Sequence, residues 1–176
     1  GTVGGGNNNT ASTGAYATVG GGSTNIASGT FAPTVAGGNT NTASGQESFV
    51  GGGFSNTASA IYTTVAGGTA NTAGGGRATV SGGSGNQATN AFAVIGGGNT
   101  NTASGSASVV TGGTTNTASG QESSVNGGLS NVASGSRSAI GGGVSNTAAG
   151  DYSSIPGGHQ LTLTANADYS FGFLAN

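Results

Sequence analysis

The stretch Val94 to Ser108, V-I-G-G-G-N-T-N-T-A-S-G-S-A-S, states a pattern that the rest of the chain repeats. Counted from the residue before a Val or Ile, copies begin at Thr2, Thr18, Thr34, Phe49, Thr64, Thr79, Val94, Val109, Ser124, Ala139 and Ser154. The first two steps are 16 residues long and the others 15. A short fixed period is the signature of one turn of chain stacked on the next. Position 2 is β-branched in every copy, from Val3 through Ile95 to Ile155, which suits a strand. A glycine pair follows at positions 4 and 5, as in Gly37-Gly38 and Gly112-Gly113, and permits a sharp corner. Position 8 is Asn in ten copies, Asn9 to Asn146, and position 10 is then Ala. Alternation places that Asn and that Ala on one face of a second strand. The Asn column has two readings: an amide ladder from coil to coil, or a set of left-handed turn residues. A second corner follows, usually Ser-Gly, as at Ser104-Gly105.

Strand, corner, strand, corner is one coil of an all-β parallel solenoid. Eleven coils at ~4.8 Å make a rod roughly 50 Å long. The coils are expected over residues 1–158. The two extra residues are expected at the second corner, at Thr13 and Pro33, where a bulge disturbs stacking least. Residues 159–176 break the pattern: Leu161 stands in the Asn column and Leu163 in the Ala column. This atypical segment is expected to cap the stack and lead into a further region, since terminal repeats must close an open end. The chain opens inside a repeat, at Gly1-Thr2-Val3, as a fragment or processed product would.

Composition excludes several classes. With 40 Gly but only two Pro and a period of 15, the chain is not collagen. Six charged residues are too few for a highly charged disordered chain, and strict register argues against a flexible linker. A net charge of −2 without a basic patch argues against nucleic acid. No apolar run reaches the ~18 residues that would insert in a membrane.

Each coil offers only one β-branched residue and one Ala to a core. Association through the Val-Ile row would bury it on both sides, so a homo-oligomer of parallel, side-by-side chains is expected. Repeats such as S-V-N-G-G-L-S-N-V-A-S-G-S-R-S, Ser124 to Ser138, resemble the head repeats of trimeric autotransporter adhesins, and related repeats of phage and viral tail fibres. The resemblance spans Thr2 to Gly158, although the usual head repeat is slightly shorter and lacks the regular glycine pair. It implies a left-handed β-roll in a homotrimer, outside the cell or on a virion. It also implies an adhesin or fibre module that meets a host-surface glycan, a matrix protein or neighbouring fibres.

Catalytic chemistry has little to stand on, and no enzyme is expected. Glu47 and Glu122 share a phase five coils apart, about 24 Å, whereas a glycosidase pair needs roughly 5–9.5 Å. Asp151 and Asp168 read as surface carboxylates. His159 has no partners for a metal site or a triad. The Gly-rich runs are periodic corners with no helix behind them, unlike phosphate loops. No cofactor or metal is called for. Variation between copies is more informative. Position 14 reads Glu47, Tyr62, Arg77, Phe92, Ala107, Glu122, Arg137 and Tyr152, a range that only an outward site tolerates. Tyr62, Arg77, Phe92, Glu122, Arg137 and Tyr152 therefore form the candidate contact strip, because aromatics and Arg are favoured in contact patches. Phe54, Leu129 and Val144 mark a second outward row at position 6. Two alternatives stand beside adhesion: a purely structural filament, and an ice-binding solenoid suggested by Thr-x-Thr at Thr40/Thr42, Thr100/Thr102 and Thr115/Thr117.

Overall fold

A computed structural model of the chain describes residues 1–165. Within them lie 22 two-residue strands in two 11-stranded sheets, and no helix. One sheet runs from Thr2–Val3 through Val94–Ile95 to Ser154–Ile155. The other runs from Thr10–Ala11 through Thr102–Ala103 to Thr162–Leu163. Every strand pairs in parallel with its counterpart one coil away. The register is position for position: Val80↔Ile95, Ile95↔Val110, Ala88↔Ala103. Solenoid pairing continues to Leu163, which pairs with Ala148, so the coils run beyond Gly158. Residues 166–176, including Asp168, lie outside the described residues.

The strands are short because corners interrupt them. The second glycine of each pair has a left-handed backbone, φ +88° at Gly98. A Cβ there would fall 2.2 Å from the Gly113 carbonyl oxygen. The first glycine is different: a Cβ on Gly97 or Gly112 would meet nothing within 4 Å. Positions 7 and 14 are also left-handed, although most of their residues are not glycine: φ is 52° at Thr100 and 56° at Arg137. Such a conformation costs roughly 1–2 kcal/mol for an L-residue. Hydrogen bonds to the preceding coil offset it, Thr100 N–H donating to Ser84 O at 2.8 Å and Arg137 N–H to Gln121 O at 2.7 Å.

The interior corrects one expectation. From Val19 to Ile155 the Val-Ile row is at most 1% exposed within a single chain, and only Val3, in the first coil, is open at 44%. The row therefore closes the core of its own coil and is not available to a seam between subunits. It faces the buried Ala column, Ala27 to Ala148, and two polar columns. One is position 15, where Ser48, Thr63, Ser123 and Ser153 are buried beside Ala78 and Ala93. Their hydroxyls donate to the carbonyl three residues back, as Ser123 Oγ does to Gly120 O at 2.8 Å.

The other polar column is Asn, and it is a ladder. Asn101 Nδ2 donates to Gly97 O at 2.9 Å in its own coil and to Gly113 O at 3.0 Å in the next. Its Oδ1 accepts the backbone N–H of Asn116 at 2.9 Å. One amide thus bonds three backbone groups at the corner. Gly97 O and Asn116 N–H have no backbone partner among the described residues, while Gly113 O also accepts from Asn99 N–H, so burial makes the amide necessary for two of them. The same set recurs in coil after coil, for example at Asn41 and Asn131. Leu161 ends the column: its N–H still donates to Asn146 Oδ1 at 3.0 Å, but it offers no amide onward.

The extra residues are Thr13, as expected, and Thr30 rather than Pro33. Phe31 bridges Ala15, and Ala32 N–H donates to Ala15 O, which puts Ala32 in column 14 and the buried Pro33 in column 15.

Candidate functional site

The second corner forms a ridge along the rod. Column 14 crosses it, and inter-coil bonds such as Tyr62 N–H to Gln46 O and Phe92 N–H to Gly76 O hold each residue in the same left-handed pose. Because the pose is common to all coils, only the side chain changes along the ridge. Glu47, Tyr62, Arg77, Phe92, Glu122, Arg137 and Tyr152 are all exposed here. The strip read from sequence is therefore one physical column.

Two residues belong to it that the sequence reading missed. Tyr16 stands in column 14 of the first coil, 74% exposed, and Phe31 is beside it in column 13 of the second. Their rings meet edge to face at 5.5 Å. The 16-residue coils shifted their phase when counted forward from each start. Counting back from the next β-branched residue finds them, since Tyr16 precedes Val19 by three as Arg77 precedes Val80.

The ridge also gathers the charge. Among the described residues every Asp, Glu and Arg lies in column 13 or 14: Glu47, Arg77, Glu122, Arg137 and Asp151. The two flat sheet faces carry none. Two clusters of three consecutive coils result. In one, Arg137 Nε donates to Glu122 Oε2 at 2.9 Å, and Arg137 Nη1 donates to the Tyr152 hydroxyl. The Arg137 guanidinium also lies over the Tyr152 ring at 5.4 Å. In the other, Arg77 sits between Tyr62 and Phe92, 5.3 and 5.4 Å from their ring centroids.

The hydrogen bond from Arg137, reinforced by its charge, holds the Glu122 carboxyl below its ordinary range, and Glu122 and Tyr152 in turn raise Arg137. Glu122 should therefore titrate below an ordinary glutamate. Whatever stability the pair adds is fully present above the unfolded carboxyl pKa and disappears as pH falls through the lowered one. Carbon-13 shifts of the Glu122 carboxyl would report this, and Arg137→Gln should return the midpoint to the ordinary range. An unchanged midpoint in that variant would remove the pair from solution. The exposed pair contributes little to stability.

Phe54, Leu129 and Val144 occupy column 6 on the opposite corner, exposed and bridged to their neighbours. His159 ends that column beside Val144. The Thr-x-Thr pairs do not make one flat array. Thr100 turns at the left-handed first corner, whereas Thr102 lies in the second sheet, where its outward neighbour is Ser104.

Among the described residues the molecule is a parallel β-solenoid whose sheet faces carry no Asp, Glu or Arg and whose ridge carries them all. No protein-family model matches this chain, and no curated protein matches its sequence.

Proposed function

We propose that the chain is a module of an extracellular fibre, a left-handed β-roll whose copies associate side by side as a homotrimer and whose ridge makes the attachment contact. The observation that carries this reading is the segregation of the surface. All described Asp, Glu and Arg side chains and several exposed rings stand on one ridge, and both sheet faces of the described coils carry none. Aromatics supply contact area and Arg supplies directed donors, while Ser, Thr and Gly supply little of either. The seam is assigned to the first sheet's outer face, where Thr79, Val94 and Val109 border the fourth-position glycines. A coil has no steric need of glycine at Gly97 or Gly112, although Gly52 in the same column takes φ +149°. A backbone packed close against that column does need it. Four residues across and eleven coils long, the face covers roughly 650 Å², near the ~800 Å² per partner of a specific interface.

The test compares the parent with a variant carrying Ser at Tyr62, Arg77, Phe92, Arg137 and Tyr152. Column 14 already accepts Ala107, so the variant should keep the sheet spectrum and the trimer mass in sedimentation equilibrium. It should lose binding to glycan and matrix arrays, or lose fibre bundling. A monomeric parent would refute the trimer, and unchanged attachment and bundling would reduce the chain to a filament without a contact strip.

A further inference from the structure

Arg77 and Arg137 occupy the same column in the same backbone pose, yet they are spent differently. Arg137 gives its donors to Glu122 and Tyr152. The Arg77 side chain has no hydrogen-bond or ion-pair partner among the described residues; its contacts are the two flanking rings. Rings on either side hold a guanidinium in place through its π faces and leave its in-plane donors open.

The coil that carries Arg77 is also cut away around it. It reads Gly74-Gly75-Gly76, where every other coil carries a side chain at the positions of Gly74 and Gly76. At Gly75 an added Cβ would lie 2.0 Å from Asn90 O, so the backbone would have to shift, although Ala60 and Asn90 stand in the same column. Its neighbours have more room. A Cβ on Gly74 would come no nearer than 3.8 Å to Ser59 Oγ, and one on Gly76 no nearer than 3.5 Å to Ile61 Cγ2. Neither has a left-handed φ. Folding therefore leaves these two glycines unexplained. Gly76 immediately precedes Arg77 and opens beside Ile61, while Gly74 opens on the outer face of the second sheet beside Ser59 and Thr72.

We propose that Tyr62, Arg77 and Phe92, with the notch left at Gly76 and the side-chain-free Gly74 on the adjoining sheet face, form a subsite for a sugar carboxylate, a uronic-acid unit of an acidic glycan. A carboxylate matches the guanidinium fork with two parallel, charge-assisted bonds. Its flat shape suits an opening walled by two rings. The ring edges give the C–H surface of a pyranose an apolar contact. Ser59 and Thr89, flanking Gly74 with hydroxyls free of side-chain bonds, give its hydroxyls partners. An acidic peptide would use the fork but has no call on the rest. This inference deepens the attachment reading by naming its ligand class.

The test is calorimetric titration of the full chain with an oligogalacturonate, its methyl ester, a sulfated neutral oligosaccharide and poly-glutamate. The oligogalacturonate should bind, and the methyl ester should not. Arg77→Gln should abolish binding, and Arg77→Lys, which keeps charge but loses the fork, should weaken it at least tenfold. Gly76→Gln, which fills the notch and leaves Arg77, should also weaken it at least tenfold, with the sheet spectrum confirming the fold. Phe54→Ser, on the opposite corner, should change nothing. Equal binding of the ester, retention by Arg77→Gln, no binding by the parent, or tighter binding of the sulfated sugar or poly-glutamate would each overturn the assignment. Surface attachment that survives Arg77→Gln would strike this subsite and spare the fibre reading. Oligogalacturonate binding by a parent that attaches to no surface would do the reverse.

Discussion

Asn101→Leu should lower the melting temperature by about 5–20 °C, the shift that a loss of ~2–6 kcal/mol gives in a domain of this size. The side chain is fully buried in the middle of the rod. Its removal strips Gly97 O of the donor Nδ2 and Asn116 N–H of the acceptor Oδ1. Gly113 O keeps only the bond from Asn99 N–H. A buried backbone group without a partner costs about 1–3 kcal/mol, and two are orphaned outright. Leu161 occupies this column half-buried where the amide ladder ends, and the two unpaired groups alone account for this range. Solenoid stability is nearly a sum of coil and neighbour terms, so the damage should be local. Amide exchange should speed up across residues 94–123 while the distal coils stay protected. A melting temperature within a degree of the parent would show that the ladder does not hold the coils.

That ladder was one of two readings open in the sequence, and backbone geometry separates them. Apart from the second glycine of each pair, the left-handed positions are 7 and 14, immediately before the Asn and three before the next β-branched residue. No composition signal marks them, because Tyr, Phe, Arg and Glu hold positive φ there only through bonds to the preceding coil. Periodicity and alternation did carry the solenoid, its register and the inward Asn and Ala columns. The outward strip was legible because no buried site accepts both Glu and Phe. What periodicity could not carry was the side on which each coil closes. A β-branched row fits a seam or a core equally well until the two-residue strands and tight corners fold the row inside its own chain. Column 15 was missed because Ser and Thr read as corner residues. Its signal is a ceiling on size: among the described residues nothing larger than Thr or Pro occupies it. The pairing of Tyr62, Arg77 and Phe92 follows from register, but the open donors of Arg77 depend on which residue stands one coil away. Arg137 has Glu122 before it and Arg77 has Tyr62.

Val80→Asp should unfold the sixth coil and cost more than ~4 kcal/mol, the range reserved for an unpaired buried charge or a broken core. Val80 is fully buried between Val65 and Ile95 in its column. No Arg side chain is in the interior to pair with a carboxylate, since both arginines stand on the ridge. Val80→Ile is the control and should change stability by less than ~1.5 kcal/mol, the range of a tolerated apolar swap, because Ile95, Ile140 and Ile155 already occupy the column. Urea unfolding followed by circular dichroism measures both. The two placements of the row predict different failures. A seam residue would yield folded monomers, whereas a core residue yields chains that have lost sheet signal before any question of assembly. Acidity adds a second discriminator. Burial raises the pKa of the introduced carboxyl above its unfolded value. Its deficit should therefore be smallest below the unfolded pKa and should grow as pH rises through the folded one. A Val80→Asp chain that is monomeric, fully folded and indifferent to pH between 3 and 7 would put the row back on the surface.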